Sequence, residues 1–541
     1  MIRKLTVWCD RYILELAREF RLSYLPPLMV YMAYGISGLT GIVGAFFVKD
    51  YLGLSAEFLA ALLFWANIPW ALKMPLGHMV DLFWRFKSVM VFLGAGLVAV
   101  SLLIMIGLLS QPDEMRAVMS VSAWYVLSVL LAPIGYVLQD VVADAMTVEA
   151  VPRVDQTGQP IDTDKVRLMH TTMQTLGRVA IVGGGIIVAL LNVYKFSGVE
   201  MMSEADKVRV YVDIFQLALL IPLVSVLGVS LGGYLKFRDT RRLCQQGRSW
   251  AEAWALVQGS VEKTLPNWWI LIGSLVFVVF SITTGLSDLT YREEIVFIGS
   301  MSIVLFLMMR LVKVLDESAR QVLVGTAIII FVYRAMPLPG AGMTWWEIDA
   351  LGFDQHFLAI LAVIGGCLAL FGMFIFRRFM AEKSVAYVIG ALTVVGAVLY
   401  LPNIGMYYGL HEFTAAQTNG VVDARFIAVM DTALESPLGQ IAMIPMLAWI
   451  ANSAPANLKA TFFAVMASFV NLALSLSQLF TKYLNQFYLV TREVKDRTND
   501  VITVPADYSE LGWLLIMVAA VGLMIPILTI LIVRLTPLKS A

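Results

Sequence analysis

Runs of about 20 residues with almost no charge recur along the whole chain, each followed by a short polar or charged segment. As α-helix, one such run crosses a bilayer core of about 30 Å. Fourteen candidate spans are read: 25–48, 58–80, 88–109, 117–146, 168–193, 210–236, 268–287, 295–313, 320–338, 357–377, 384–408, 425–451, 458–482 and 511–534. Apolar residues make up 59% of the chain and charged residues 14%, against roughly 45–50% and about 25% in soluble domains. The expected class is an all-α, polytopic membrane protein.

Orientation follows from where Lys and Arg fall. With the N-terminus inside, inner segments and span ends hold 25, outer segments 11, and the spans three, summing to 39. The richest inner loop is 236–267, with Lys236, Arg238, Arg241, Arg242, Arg248 and Lys263. An even number of spans returns the C-terminus to the cytoplasm. The expected location is the cell (inner) membrane. Residues 1–24 lack the apolar stretch of a signal peptide, and Trp8, Tyr12, Leu16 and Phe20 recur at helical spacing, as in a short amphipathic cytoplasmic helix. The longest segments outside the spans, 236–267 and 483–510, are too short to fold as domains, and no phosphate-binding loop motif occurs, so an ATP-driven pump is excluded. Equal numbers of basic and acidic residues, 39 each, give no sign of a nucleic-acid partner. Cys9, Cys244 and Cys367 form neither a disulfide framework nor a metal motif, and the four histidines lack ligand spacing. No catalytic constellation, cofactor or metal site is expected.

The chain repeats itself. Asp50-Tyr-Leu-Gly-Leu-Ser-Ala-Glu-Phe-Leu-Ala60 recurs as Asp349-Ala-Leu-Gly-Phe-Asp-Gln-His-Phe-Leu-Ala359, with six identities in eleven at an offset of 299 residues. Each copy is an outer loop followed by the entry of a span. The expected plan is therefore two six-helix bundles, 25–236 and 320–541, with a cytoplasmic loop and an inserted helix pair across 237–319. Parallel six-helix halves are the major facilitator arrangement.

A charge at mid-bilayer costs about 2.5–3.5 kcal/mol even on the lenient insertion scale, so each one in a span is informative. Lys73, Arg178 and the i, i+4 pair Asp140/Asp144 fall at inner depth. Arg334 and the i, i+4 pair Asp431/Glu435 fall at outer depth. These three cations and four carboxylates sum to −1, so one carboxylate is a candidate to carry a proton. Other readings stand beside the functional one. Lys73 has the reach to snorkel to headgroups, Asp144 to pair with inner-loop basic residues, and Asp431/Glu435 to pack on Arg334 without touching substrate. Gln139, Gln174, Asn471 and Gln478 suit substrate contacts or helix–helix bonds equally. Gly183-Gly184-Gly185 suits a close helix crossing or a bend.

Pro69-Trp70-x-x-Lys73-x-x-x-Gly77-x-x-x-Asp81, Asp140-Val-Val-x-Asp144-Ala-Met-x-Val-Glu149, and Gln174 with Gly184-Gly185 resemble the second, fourth and fifth helices of the folate–biopterin transporter family, within the major facilitator superfamily. Phe331-x-Tyr333-Arg334-Ala335-x-Pro337-x-x-Gly340-x-x-Met343 resembles its seventh helix. Asp431-Thr-x-Leu434-x-x-x-Leu438-Gly439-Gln440-Ile441-Ala442-x-x-Pro445 and Ala460-Thr461-x-Phe463-Ala464 resemble its tenth and eleventh. The sequence departs from the pattern at Met74-Pro75, where the proline is expected one residue earlier, at Lys459 in place of Glu, at Arg178, and in the inserted pair. Gly77-x-x-x-Asp81 followed by Arg85 and Lys87 resembles the superfamily's inner gate, with Asp144 and Glu149 as relay partners.

The resemblance implies secondary active transport by alternating access of a small organic, pterin- or folate-like and anionic solute. Lys73 and Arg334 are placed to meet carboxylates, and Tyr333 or Trp70 to stack on a ring. Protons are a candidate partner, taken up at Asp140 or Asp431. The alternative is a muropeptide-type permease of the same superfamily.

Overall fold

The computed structural model describes residues 20–540, apart from 52–53, 72, 83–85, 152–160, 259–265, 267, 286, 288, 314, 377–382, 440, 442–458 and 497–500. The first helices are α1 (Leu25–Ile36), α2 (Gly41–Tyr51), α3 (Ala56–Ala71), α4 (Lys73–Leu82), α5 (Lys87–Ser110), α6 (Val121–Ala150), α7 (Thr163–Phe196), α8 (Glu204–Ala218) and α9 (Leu220–Gln245). After α10 (Trp250–Gln258) come α11 (Trp268–Gly285) and α12 (Arg292–Val312). The remainder is α13 (Glu317–Arg334), α14 (Ala341–Asp349), α15 (Gln355–Ile375), α16 (Val385–Leu399), α17 (Leu401–Tyr407), α18 (Ala424–Glu435), α19 (Lys459–Phe487) and α20 (Leu511–Leu535). A small antiparallel hairpin, β1 (Val494–Asp496) with β2 (Val501–Val504), precedes α20.

Among the described residues, ten helical stretches are long and apolar enough to cross a membrane. Helices also occupy 295–312, 320–334, 459–482 and 425–435 without meeting that measure. In α13 the three charges Glu317, Arg320 and Arg334 account for it, and α18, with 12 residues, is short.

The repeated segments begin helices in the same register. Ala56 and Gln355, the first residues of α3 and α15, are 299 positions apart. At each start the preceding residue accepts the third backbone N–H, Ser55 from Phe58 at 3.1 Å and Asp354 from Phe357 at 2.7 Å. This is ordinary N-capping, which supplies an orphan amide with a side-chain oxygen.

One face of the molecule carries the β-hairpin, the other the basic loop after α9. At the basic face Ser23 Oγ donates to the carbonyl of Ala150, and Lys539 N donates to that of Gln321. Among the described residues, the part of the chain before the inserted pair meets the part after it chiefly where α3 and α4 lie along α19 and α7 lies along α15. Toward the hairpin face, Trp345 and Ala359 are buried in one apolar cluster with Val43, Phe47 and Ala56.

Glycine sets the closest crossing. A Cβ on Gly35 of α1 would fall 2.1 Å from the Ile181 carbonyl oxygen of α7, and one on Gly184 would fall 2.8 Å from that of Met32. Of the Gly183–Gly185 triplet, then, Gly184 serves contact.

Candidate functional site

Two proline-bearing stretches place the polar side chains, one around Pro69 of α3 and one at the break between α13 and α14. Near the end of α3, at the Trp70 carbonyl, the Asn471 amide of α19 supplies a donor at 3.1 Å. Asn471 is thus engaged in bonding two helices together. Between α13 and α14 runs Ala335-Met-Pro-Leu-Pro-Gly340, whose prolines cannot continue the ladder. Three α19 side chains four residues apart serve this segment. Ser477 Oγ donates to Met336 O (2.6 Å), Thr481 Oγ1 accepts from Leu338 N (3.0 Å), and Asn485 Nδ2 donates to Pro339 O (3.2 Å). Gly340 makes the turn with φ +79°, a left-handed conformation that glycine adopts without strain.

Lys73 of α4 lies opposite α6. Its Nζ lies 2.6 Å from Asp140 Oδ2 and 2.7 Å from Asp144 Oδ2. The i, i+4 spacing puts both carboxylates on one helix face, and one ammonium serves both. Tyr31 of α1 donates from its hydroxyl to Asp144 Oδ1 at 2.6 Å. Arg178 of α7 is near enough for its charge to act on Asp140 and Tyr31, yet forms no ion pair with a described residue. Beside this group stands an aromatic wall: the Tyr34 ring meets those of Trp70 and Tyr136 edge-on, with centroids 5.6 and 5.7 Å away. Lys73, Asp140, Asp144 and Arg178 are therefore one cluster in space. Tyr31 and Tyr34 join it without having been legible in the sequence.

The second carboxylate pair has different company. Asp431 and Glu435 occupy the last turns of α18, where Asn403 Nδ2 donates to Asp431 Oδ2 at 3.0 Å and the other carboxylate oxygen is buried without a hydrogen-bond partner. Among the described residues neither Asp431 nor Glu435 forms an ion pair with Arg334. α13 ends at Arg334, and the chain turns through the break into α14. That turn introduces Glu347 of α14, which shares its surroundings with Asp431, Glu435 and the Tyr400 hydroxyl. Glu435 also lies within charge range of Tyr333. Glu347 was missed because α14 reads as a loop; an acid directly after Trp345-Trp346, both buried, was the available signal.

Of the gate residues, Glu149 accepts from Lys87 Nζ and Lys236 Nζ, both at 2.6 Å, and so joins the ends of α5, α6 and α9 at the basic face. Asp144 pairs with Lys73 and accepts from the Tyr31 hydroxyl. Gly77 faces open space. Arg85, Gln440, the side chains of Asp81 and Gln174, and the N-terminal amphipathic segment lie outside the described residues. Among the described residues no group of three His, Cys, Asp or Glu side chains is placed to hold a metal ion.

Comparison with known proteins decides the family. The model of the BT1 family matches residues 34–540. The chain belongs to the BT1 family. A folate-biopterin transporter of Synechocystis sp. is 23% identical over 453 residues, covering 82% of this chain and 71% of that protein. Among solved structures, a POT family transporter in complex with 5-aminolevulinic acid superposes with a TM-score of 0.59 at 13% identity, covering 94% of this chain and 95% of that one. Another, bound to a thioalcohol-conjugated peptide, gives 0.57 at 12% identity with the same coverage. These establish a major-facilitator-like helical fold. This BT1 protein is a multi-pass membrane transporter and not an enzyme.

Proposed function

We propose that this BT1 protein carries a pterin- or folate-type solute across the cytoplasmic membrane by alternating access, with 25–236 and 320–541 as the two rocking bundles and the basic face in the cytoplasm. The observation that carries the reading is the asymmetry of the two carboxylate groups. In the first bundle Asp140 and Asp144 are served by Lys73, beside the Tyr34–Trp70–Tyr136 wall. In the second, Glu347, Asp431 and Glu435 form no ion pair with a described residue. A flat heteroaromatic ring suits the aromatic wall. Its ring N–H groups suit unpaired carboxylates, and a carboxylate tail suits Lys73, Arg178 or Arg334. The name of the Synechocystis relative supports the same substrate class. The excess of acids also favours proton coupling, with Asp140 or Asp431 taking the proton as the cavity changes sides.

The test is uptake of labelled folate, biopterin and anhydromuropeptide into proteoliposomes, with and without an imposed pH gradient. Saturable uptake of folate or biopterin with counterflow is expected, faster with the gradient. Transport of anhydromuropeptide alone would overturn the substrate class, and flux indifferent to the gradient would remove the proton.

A further inference from the structure

The inserted pair α11–α12 falls between the two repeat copies and lies across the seam where α3 meets α19. Its apolar side is built into that seam: Ile270, Phe277, Val296 and Val304 are buried in one cluster with Phe64 and Ile68 of α3 and Val470 and Leu472 of α19. At the hairpin-face end the contact becomes polar. The side chain of Glu293, only 6% exposed, accepts from Trp65 Nε1 of α3 at 3.1 Å and from Lys482 Nζ of α19 at 3.4 Å, with Arg292 Nε of its own helix at 3.2 Å. The end of α11 presses on the same indole, since a Cβ on Gly285 would lie 2.9 Å from the Trp65 ring. Among the described residues Glu294, one residue on, reaches only α19, through Lys482 at 3.6 Å and a bond from the Tyr483 hydroxyl.

We infer that Glu293 makes the inserted pair a latch that holds the hairpin face closed, by binding an α3 donor and an α19 donor to one buried carboxylate. The inference rests on the rocking mechanism proposed above. Opening the hairpin face parts α3 from α19. Glu293 must then give up either Trp65 or Lys482, and a buried carboxylate that loses donors is costly. Glu294 loses nothing in that motion, because both its partners travel on α19. The two adjacent acids therefore separate latching from simple docking of the pair. Glu57 and Gln486, 2.5 Å apart across the same helices, add a direct tie between α3 and α19.

The test places a cysteine at Ala56, buried at the closed end beside Trp345, in full-length protein with Cys9, Cys244 and Cys367 changed to Ser, and follows its labelling by a membrane-impermeant maleimide in nanodiscs. Glu293→Gln is expected to speed labelling about tenfold, the effect of one lost bond to a charged acceptor on a two-state balance, while Glu294→Gln changes it less than about twofold. Trp65→Phe, which removes only the α3 donor, should reproduce the Glu293→Gln effect and carries the test if Glu293→Gln does not fold. Equal effects of Glu293→Gln and Glu294→Gln overturn the latch. So does unchanged labelling in Glu293→Gln while Trp345→Ala, which empties the apolar seal, exposes the cysteine; that outcome leaves rocking intact. A cysteine that stays closed in every variant overturns both the latch and the rocking reading.

Discussion

Replacing Lys73 with Met tests how the first carboxylate group is balanced. The Lys73 and Asp140 side chains are 18% and 13% exposed, and Asp144 is 40% exposed. Removing one member of a fully buried ion pair costs about 3–5 kcal/mol, mostly through the charge left behind. Water reaching Asp144 lowers that figure, so the expected loss for Lys73→Met is about 3 kcal/mol. Asp140→Asn leaves Lys73 its bond to Asp144 and should cost about 1 kcal/mol. The double variant removes both the cation and its more buried partner. It should be more stable than Lys73→Met alone, with a coupling of about 1.5–3 kcal/mol. The assay is thermal unfolding of the purified protein in one detergent at a fixed scan rate, comparing apparent melting temperatures across the cycle. The predicted order is wild type, Asp140→Asn, the double variant, then Lys73→Met. A double variant that melts below Lys73→Met by the full decrement of Asp140→Asn means that the three side chains are independent, and the reasoning fails.

Other substitutions probe other parts of the structure. Gly35→Val drives a side chain into the Ile181 carbonyl and should cost about 3 kcal/mol or more, read as a lower melting temperature, whereas Gly183→Ala, facing open space, should leave it unchanged. Thr481→Val withdraws the acceptor of Leu338 N at the α13–α14 break and should lower stability by about 1–3 kcal/mol, visible also as faster proteolysis near Pro337–Gly340. Glu347→Gln should keep the melting temperature and reduce initial uptake of biopterin about tenfold, the worth of one charge-assisted contact; uptake equal to wild type would remove Glu347 from the site.

What the sequence made legible follows from what each feature demands locally. The ten membrane-length stretches declare themselves by composition, because lipid leaves a spanning helix few polar choices. The repeat is equally plain, and its two copies start helices at equivalent residues with equivalent caps. Lys73 with Asp140 and Asp144 is readable because an i, i+4 acid pair in an apolar run needs a cation. The partner of Asp431 is not, since Asn403 sits on a different helix and looks like any polar residue near a helix end. Glu347 escapes for a related reason. The α13–α14 break depends on Ser477, Thr481 and Asn485 arriving from 141 to 146 residues away, and no local pattern announces that rescue.

The Lys73–Asp140 contact spans 67 residues of chain, and that interval has a consequence for how the protein is made. A ribosome delivers the ammonium to the membrane well before either of its carboxylates exists. Until α6 is synthesised, the segment carrying Lys73 has no partner to neutralise it and must wait near the headgroups or against the insertion machinery. The third and fourth helices therefore take their final depth only when the sixth arrives, and early insertion of this transporter couples these three helices.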